Sequence, residues 1–184
     1  MKIIVGLGNP GEQYKNTRHN IGWLALDYWL KDANWTHNKK FKALTYRDGN
    51  YLFVKPLTFM NESGQSVCRI LNYYKLLPKK MGLISLKDSD LVNSLTVVHD
   101  ELDLDFKNYK IVHNNSSAGH RGVQSIINHL KTQKFTRLRL GIRNNLLRKY
   151  IPPDEFVLKS FSQEELNALP ELLKEIDIKN LNQK

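Results

Sequence analysis

Four polar clusters hold the side chains of this 184-residue chain that are equipped for chemistry. The first, GLGNPGEQYKNTRHNIG (residues 6–22), holds Asn9, Tyr14 and His19. The second, KPLTFMNESG, places Met60 and Asn61 between a strand and a helix. The third, VHDELD, has Asp100 directly after an apolar run, and the fourth, SAGHRG, carries His120 and Arg121 in a loop of small residues. Together they offer a histidine base, a carboxylate to orient it and amide groups to receive a developing oxyanion, a set suited to hydrolysis of an acyl bond by activated water. Singly, each has a plainer role: Asn9 as a turn former, Asn61 as a helix N-cap, Asp100 as a loop cap, His19 and His120 as surface histidines. A serine nucleophile fits poorly, because Ser63 in NESGQS lacks the G-x-S-x-G elbow. Cys68 falls on the apolar side of a helical pattern and reads as packing.

Gly6, Gly8 and Gly11 have G-x-G-x-x-G spacing. A dinucleotide site needs a helix that begins at the second glycine, so that its N-terminus meets a pyrophosphate. Here Asn9, Pro10 and Gly11 make a turn, helical periodicity starts only near Asn20, and no acid closes the next strand. The segment reads instead as the rim of a site at the carboxyl end of the first strand, where open α/β sheets bind ligands.

The elements that must position these clusters follow from periodicity. Lys2 to Leu7 is a buried strand, and Ile21, Leu24, Ala25, Tyr28 and Trp29 predict a helix over 20–31. Lys42 to Arg47 and Tyr51 to Lys55 flank Asp48-Gly49-Asn50 as a hairpin ended by Pro56. A second helix is predicted over 63–75, then an irregular connection over 76–93 with a short helix or strand near Leu83 to Leu86. Leu95 to Val98 and Lys107 to Val112 are strands, and Val123, Ile126, Ile127 and Leu130 mark a third helix. Arg137 to Arg143 alternates, with Leu138, Leu140 and Ile142 inward and Arg137, Arg139 and Arg143 outward, a half-buried strand with a basic face. Ser162 and Glu165 form a capping box for a last helix that Pro170 should kink or split. Strands interleaved with helices imply an α/β fold, one domain over 1–184, with a mixed, mostly parallel central sheet and helices on both faces.

The formal net charge is +10 and the pI about 9.6, which points to a polyanionic partner. From 131 to 151 there are seven cations and no acid, which makes this stretch the expected grip on nucleic-acid phosphates. No apolar run approaches the roughly 20 residues that span a bilayer. One cysteine cannot form an internal disulfide, no Cys/His pair has zinc-ligand spacing, and the first strand has no signal-peptide pattern, so the expectation is a cytoplasmic protein without a metal or membrane partner.

In order along nearly the whole chain, GLGNPGEQYKNTRHNIG, KPLTFMNESGQSV, VVHDELDL and SAGHRG resemble the signatures of bacterial-type peptidyl-tRNA hydrolase. The resemblance implies a monomeric, cofactor-free and metal-free α/β enzyme that cleaves the ester between a peptide and the tRNA 3′ end. It makes His19 the general base and Asp100 its orienting carboxylate, with Asn9 and Asn61 holding the substrate carbonyl and peptide backbone. Tyr14 and Met60 would shape the site near the ester, His120 would line the channel for the acceptor end, and Arg137, Arg139 and Arg143 would grip tRNA. The sequence departs from the family pattern in four places: Arg121 stands where the family has Asn, Asn114-Asn115 replaces a Gly-Gly pair, GIRNN at 141–145 replaces Gly-Ile-Gly-Arg-Pro, and the 76–93 connection is longer than usual. Arg121 is a fixed cation that has donors only, suited to a 3′-terminal phosphate or sugar edge. Two other readings remain at this point: a non-catalytic RNA-binding paralogue of the same fold, and a nucleotide-binding protein using the glycine loop.

Overall fold

Strand β1 (Lys2–Gly6) is buried on both faces, as its β-branched run requires, and the rest of the molecule is built around it. The computed structural model describes residues 1–80, 84–85, 87–144 and 150–181. After β1 come α1 (Ile21–Trp29), β2 (Thr36–Asn38), β3 (Ala43–Asp48), β4 (Tyr51–Pro56) and α2 (Ser63–Tyr73). A two-stranded ribbon follows, β5 (Lys79–Lys80) with β6 (Ile84–Ser85), then β7 (Leu95–Asp105), β8 (Tyr109–His113), α3 (Arg121–Leu130) and β9 (Thr136–Arg143). The chain closes with α4 (Pro153–Phe156) and α5 (Gln163–Leu173). The seven-stranded sheet runs β2-β3-β4-β1-β7-β9-β8. The central strands β4, β1, β7 and β9 are parallel, and β2, β3 and β8 add to the edges antiparallel.

The two-residue period of the strands sorts the core into two layers. Ile3 and Val5 of β1 face α2 and α3, packing with Val67, Ile70, Val123 and Ile126. Ile4 faces the other way, toward Ile21 and Leu26 of α1 and Leu169 and Leu172 of α5. Helices thus cover both faces. Parallel strands also put their carboxyl ends on one edge of the sheet, and the loops after β1 and β4 come together there beside Asp100, in the middle of β7.

Three sequence expectations change, and one is made specific. Asp100 does not follow its strand but lies inside it, because the acidic run continues the ladder as far as Asp105, pairing Asp100 with Leu140 and Asp105 with Arg143. Pro170 does not split α5, which runs through it; its ring sits on the exposed side, where an absent N–H costs least. The ribbon occupies the connection read as irregular. Of Leu83 to Leu86 only Ile84–Ser85 are described, and they are strand.

The third change concerns the basic face of β9. Leu138, Leu140 and Ile142 point inward as expected, but the arginines do not form an open surface. Arg137 is 2% exposed, and its Nη1 donates to the Ser116 carbonyl at 2.8 Å, because the 113–118 loop folds over it. Burial and the neighbouring Arg139 lower its pKa to about 10, so it stays charged at neutral pH. Arg139 pairs with buried Glu101, and Arg143 Nε donates to Asp105 at 2.5 Å. Acids of β7, the neighbouring strand, therefore occupy two of the three. Arg148 and Lys149, counted in the same basic stretch, lie outside the described residues. No helix among the described residues is long and apolar enough to cross a membrane.

Candidate active site

The loop after β1 is held in shape before it offers any chemistry. Gly11 sits at φ +113°, a backbone conformation that side chains with a Cβ rarely adopt, and it opens a 3-10 turn at Glu12–Tyr14. A second 3-10 turn, Arg18–Asn20, leads into α1. All three of its residues are buried and polar. Arg18, 1% exposed, makes a two-pronged contact to Glu165 at 2.8 Å, donates to Ser160 O at 2.5 Å, and lies over the rings of Phe156 and Phe161. Asn20 brackets Asn9: its Oδ1 accepts from Asn9 N at 2.9 Å and its Nδ2 donates to Asn9 O at 3.0 Å. Between them, His19 N donates to Val157 O at 2.8 Å. The C-terminal segment thus fixes the backbone that presents His19.

Asp100 projects from β7 and is 3% exposed. Its Oδ1 accepts from His19 Nδ1 at 2.8 Å and from His120 Nε2 at 2.9 Å. Burial alone would raise this carboxyl. The two imidazoles, through charge and hydrogen bonds, outweigh it and hold Asp100 well below the usual carboxylate range. An ionised Asp100 only accepts, so both ring nitrogens facing it carry protons. For His19 this leaves Nε2 with the lone pair in the neutral ring, the tautomer a general base needs. His120 is fixed further: as N-cap of α3, its Nδ1 accepts from Gly122 N at 3.1 Å and Val123 N at 3.2 Å. With Nδ1 accepting and Nε2 donating, both ring nitrogens of His120 are engaged, so His120 braces Asp100. It also lies on the cleft wall. The donor atoms of His19, Asp100 and His120 lie within 4.8 Å of one another, a spacing a metal ion also uses; protons on the two rings satisfy the same geometry.

A cleft of about 600 Å³ opens over these groups, and Asn9, Tyr14, His19, Met60, Asn61, Asp100, His120 and Arg121 all line it. Asn9 Oδ1 accepts from Met60 N at 2.8 Å, which ties the β1 loop to the β4 loop and orients the amide. Its Nδ2 has no partner among the described residues and is available to a ligand. Asn61, exposed in the 3-10 turn Met60–Glu62, does not cap α2, whose N-cap is Glu62. Met60 is 4% exposed, and a Cβ at Gly122 would collide with its Sδ, so the glycine makes room for the thioether. Arg121 is exposed at the first turn of α3, with no ion pair among the described residues. Arg137, Arg139 and Arg143 are not part of the cleft wall. Asn114 has φ 51°, the left-handed conformation that lets Asn stand for Gly.

Three participants went unmarked in the sequence. Arg18 and Asn20 flank His19 but read as ordinary polar loop residues. His99 precedes Asp100 and is 1% exposed. Its Nδ1 donates to Asp100 O at 2.7 Å and its ring meets His120 edge-on at 4.6 Å. Burial first, and then the neighbouring His120, push His99 well below the usual histidine range, so it is neutral. The available signal was that His99-Asp100-Glu101 directly follows the largely apolar run Leu95 to Val98.

A family profile described as peptidyl-tRNA hydrolase matches residues 3–180. The peptidyl-tRNA hydrolase of Mycoplasma mycoides is 42% identical, the match covering 92% of this chain and 85% of that protein. The one from Fusobacterium nucleatum is 41% identical over 96% of this chain and 86% of its own length. A crystal structure of peptidyl-tRNA hydrolase from Acinetobacter baumannii superposes with a TM-score of 0.75 at 26% identity, covering all of this chain and 91% of that one.

Proposed function

The chain belongs to the peptidyl-tRNA hydrolase family, enzymes that hydrolyse the ester between peptide and tRNA, and from that premise we propose that His19 is its general base and Asp100 the carboxylate that orients it. The observation that carries this assignment is the 2.8 Å contact from His19 Nδ1 to an ionised, buried Asp100, at the floor of a cleft wide enough for a peptide ester. In this reading His19 Nε2 takes a proton from water as the water oxygen bonds to the ester carbonyl carbon. The carbonyl oxygen gains the negative charge and is met by Asn9 Nδ2 and the Asn61 amide. When the tetrahedral intermediate collapses, the bond to the ribose oxygen breaks, and His19 returns its proton to that oxygen. Free peptide and intact tRNA leave.

An aminoacyl-type ester is already reactive, so a base worth about 10²–10⁴ and oriented donors worth about 10²–10³ supply the needed acceleration. Met60 and Tyr14 would confine the ester, and Arg121 would meet the acceptor end. Arg137, Arg139 and Arg143 were expected to grip tRNA directly. Their burial or pairing favours a part in holding β7, β9 and the 113–118 loop together. The site draws on one chain only, residues 1–184 act as a unit in this reading, and the enzyme works as a cytoplasmic monomer where peptidyl-tRNA is made. The non-catalytic alternative is not favoured, since the base and carboxylate are in register.

Release of the acyl group from purified N-acetyl-aminoacyl-tRNA tests the reading. Wild type should turn over, and His19→Ala should not. A His19→Ala protein that kept more than about a tenth of the activity would overturn the assignment of the base.

A further inference from the structure

A chain with a net charge of +10 must leave some cations unpaired, and their position is informative. Many are committed: Arg18 to Glu165, Lys55 to Asp27, Lys107 to Glu171, Lys134 to Asp88, Arg139 to Glu101, Arg143 to Asp105 and Lys179 to Asp48. On the flank formed by the 39–42 turn and the outer side of α2 the situation differs. Lys39, Lys40, Lys42 and Arg69 are all exposed there, and none pairs with a carboxylate among the described residues. Direct contacts make them one surface. Arg69 Nη1 donates to Lys40 O at 3.2 Å, and Lys40 Nζ lies 4.2 Å from the centre of the Tyr73 ring. Phe41, 3% exposed, wedges beneath with its ring 5.2 Å from Tyr73 and 6.2 Å from Tyr74. Supported in this way, Tyr73 still remains 53% exposed.

We propose that this patch is a binding surface for single-stranded RNA, separate from the reaction cleft. Lysines and an arginine with no internal counter-charge attract phosphates without regard to sequence. A rigidly backed, open aromatic ring beside a cation is the platform on which an unpaired base stacks. A duplex hides its base faces and has no use for Tyr73. Position separates this surface from the substrate's reacting end. Helix α2 starts at Ser63, beside Met60 and Asn61 of the cleft, and Tyr73 lies at its other end. At the rise of an α-helix that is about 15 Å along the axis. In this proposal the base that stacks on Tyr73 belongs to an RNA other than the substrate's acceptor end. The partner is a second RNA strand, and turnover does not depend on it. The proposal stands apart from the assignment of His19 and Asp100.

The test is fluorescence anisotropy with a labelled oligouridylate of about twelve nucleotides, a length within the usual single-strand site sizes, and with a duplex of the same length. Tyr73→Ala should weaken the single strand by about five- to a hundred-fold and leave the duplex unchanged, while Tyr73→Phe keeps wild-type affinity. Lys39→Gln, Lys40→Gln and Arg69→Gln combined should reduce the slope of log affinity against log salt by about two. All these variants should hydrolyse N-acetyl-aminoacyl-tRNA at the wild-type rate, which certifies their fold and separates this outcome from any failure at the cleft. Undiminished single-strand binding in Tyr73→Ala would overturn the proposal. So would an unchanged salt slope in the triple variant, or a loss of hydrolysis in step with binding, which would place the patch on the substrate's own path.

Discussion

Replacing Asp100 by Asn isolates the contribution of one charge. The amide is nearly isosteric, and its Oδ1 can still accept from His19 Nδ1, now 2.8 Å from the carboxylate, and from His120 Nε2 at 2.9 Å. What disappears is the attraction between the carboxylate and the imidazolium that the proposed mechanism forms as water is deprotonated. With the nitrogen and oxygen in hydrogen-bond contact, the charge centres lie about 4 Å apart, and at an effective dielectric constant of about 20 the attraction is about 4 kcal/mol. The neutral hydrogen bond that remains retains about 1 kcal/mol of it. The loss of about 3 kcal/mol corresponds to a fall in kcat of about a hundredfold. Single-turnover release from N-acetyl-aminoacyl-tRNA at saturating enzyme reads this number directly. A fall of less than about tenfold would refute the charge argument and leave Asp100 as a bracket for two rings. Stability supplies an independent check. The folded carboxyl titrates well below its unfolded value, so its stabilising contribution is complete above about pH 4, the unfolded value, and is lost as pH falls through the folded one. The stability gap between wild type and Asp100→Asn should therefore close on acidification below about pH 4. A gap that widened there would mean that Asp100 is not held ionised.

His19→Ala should lower hydrolysis by at least about a hundredfold while melting temperature and tRNA affinity hold, measured by release assay, thermal melt and filter binding. His120→Ala removes an N-cap and one brace of Asp100, so a loss of about 1 kcal/mol in stability should accompany a lower kcat with little change in KM; a KM effect alone would favour the channel-lining role. Glu165→Ala leaves the buried Arg18 guanidinium without its counter-charge, at a cost of about 3 kcal/mol, which for this size is roughly a ten-degree fall in melting temperature. Arg121→Asn should weaken tRNA binding and reduce its salt slope by about one, whereas Arg137→Gln should leave that slope alone, because Arg137 is 2% exposed. Equal slopes for those two variants would put the phosphate contacts elsewhere.

The chain announces its elements and its chemistry locally. The apolar run of β1, the Asp48-Gly49-Asn50 turn, the helical spacing of Val123, Ile126 and Leu130, and the Ser162–Glu165 capping box each depend on neighbours a few residues apart, and each is found where periodicity and turn chemistry put it. The four polar clusters were legible for the same reason, since side-chain type and the step from strand to loop are local properties. What a charged residue does after folding is not local. Arg137, Arg139 and Arg143 alternate in sequence as an outward basic face should, yet a loop whose Ser116 lies 21 residues earlier buries the first, and carboxylates on the adjacent strand neutralise the other two. Arg18 is bound by Glu165, 147 positions away, and Asp100 becomes one acceptor for two histidines that lie 81 residues before it and 20 after it. Burial and charge pairing are set by which segments meet across the sheet. That is why the residues that line the cleft could be read from the sequence, while only the tertiary structure decided which cations meet carboxylates and which histidine has both ring nitrogens engaged.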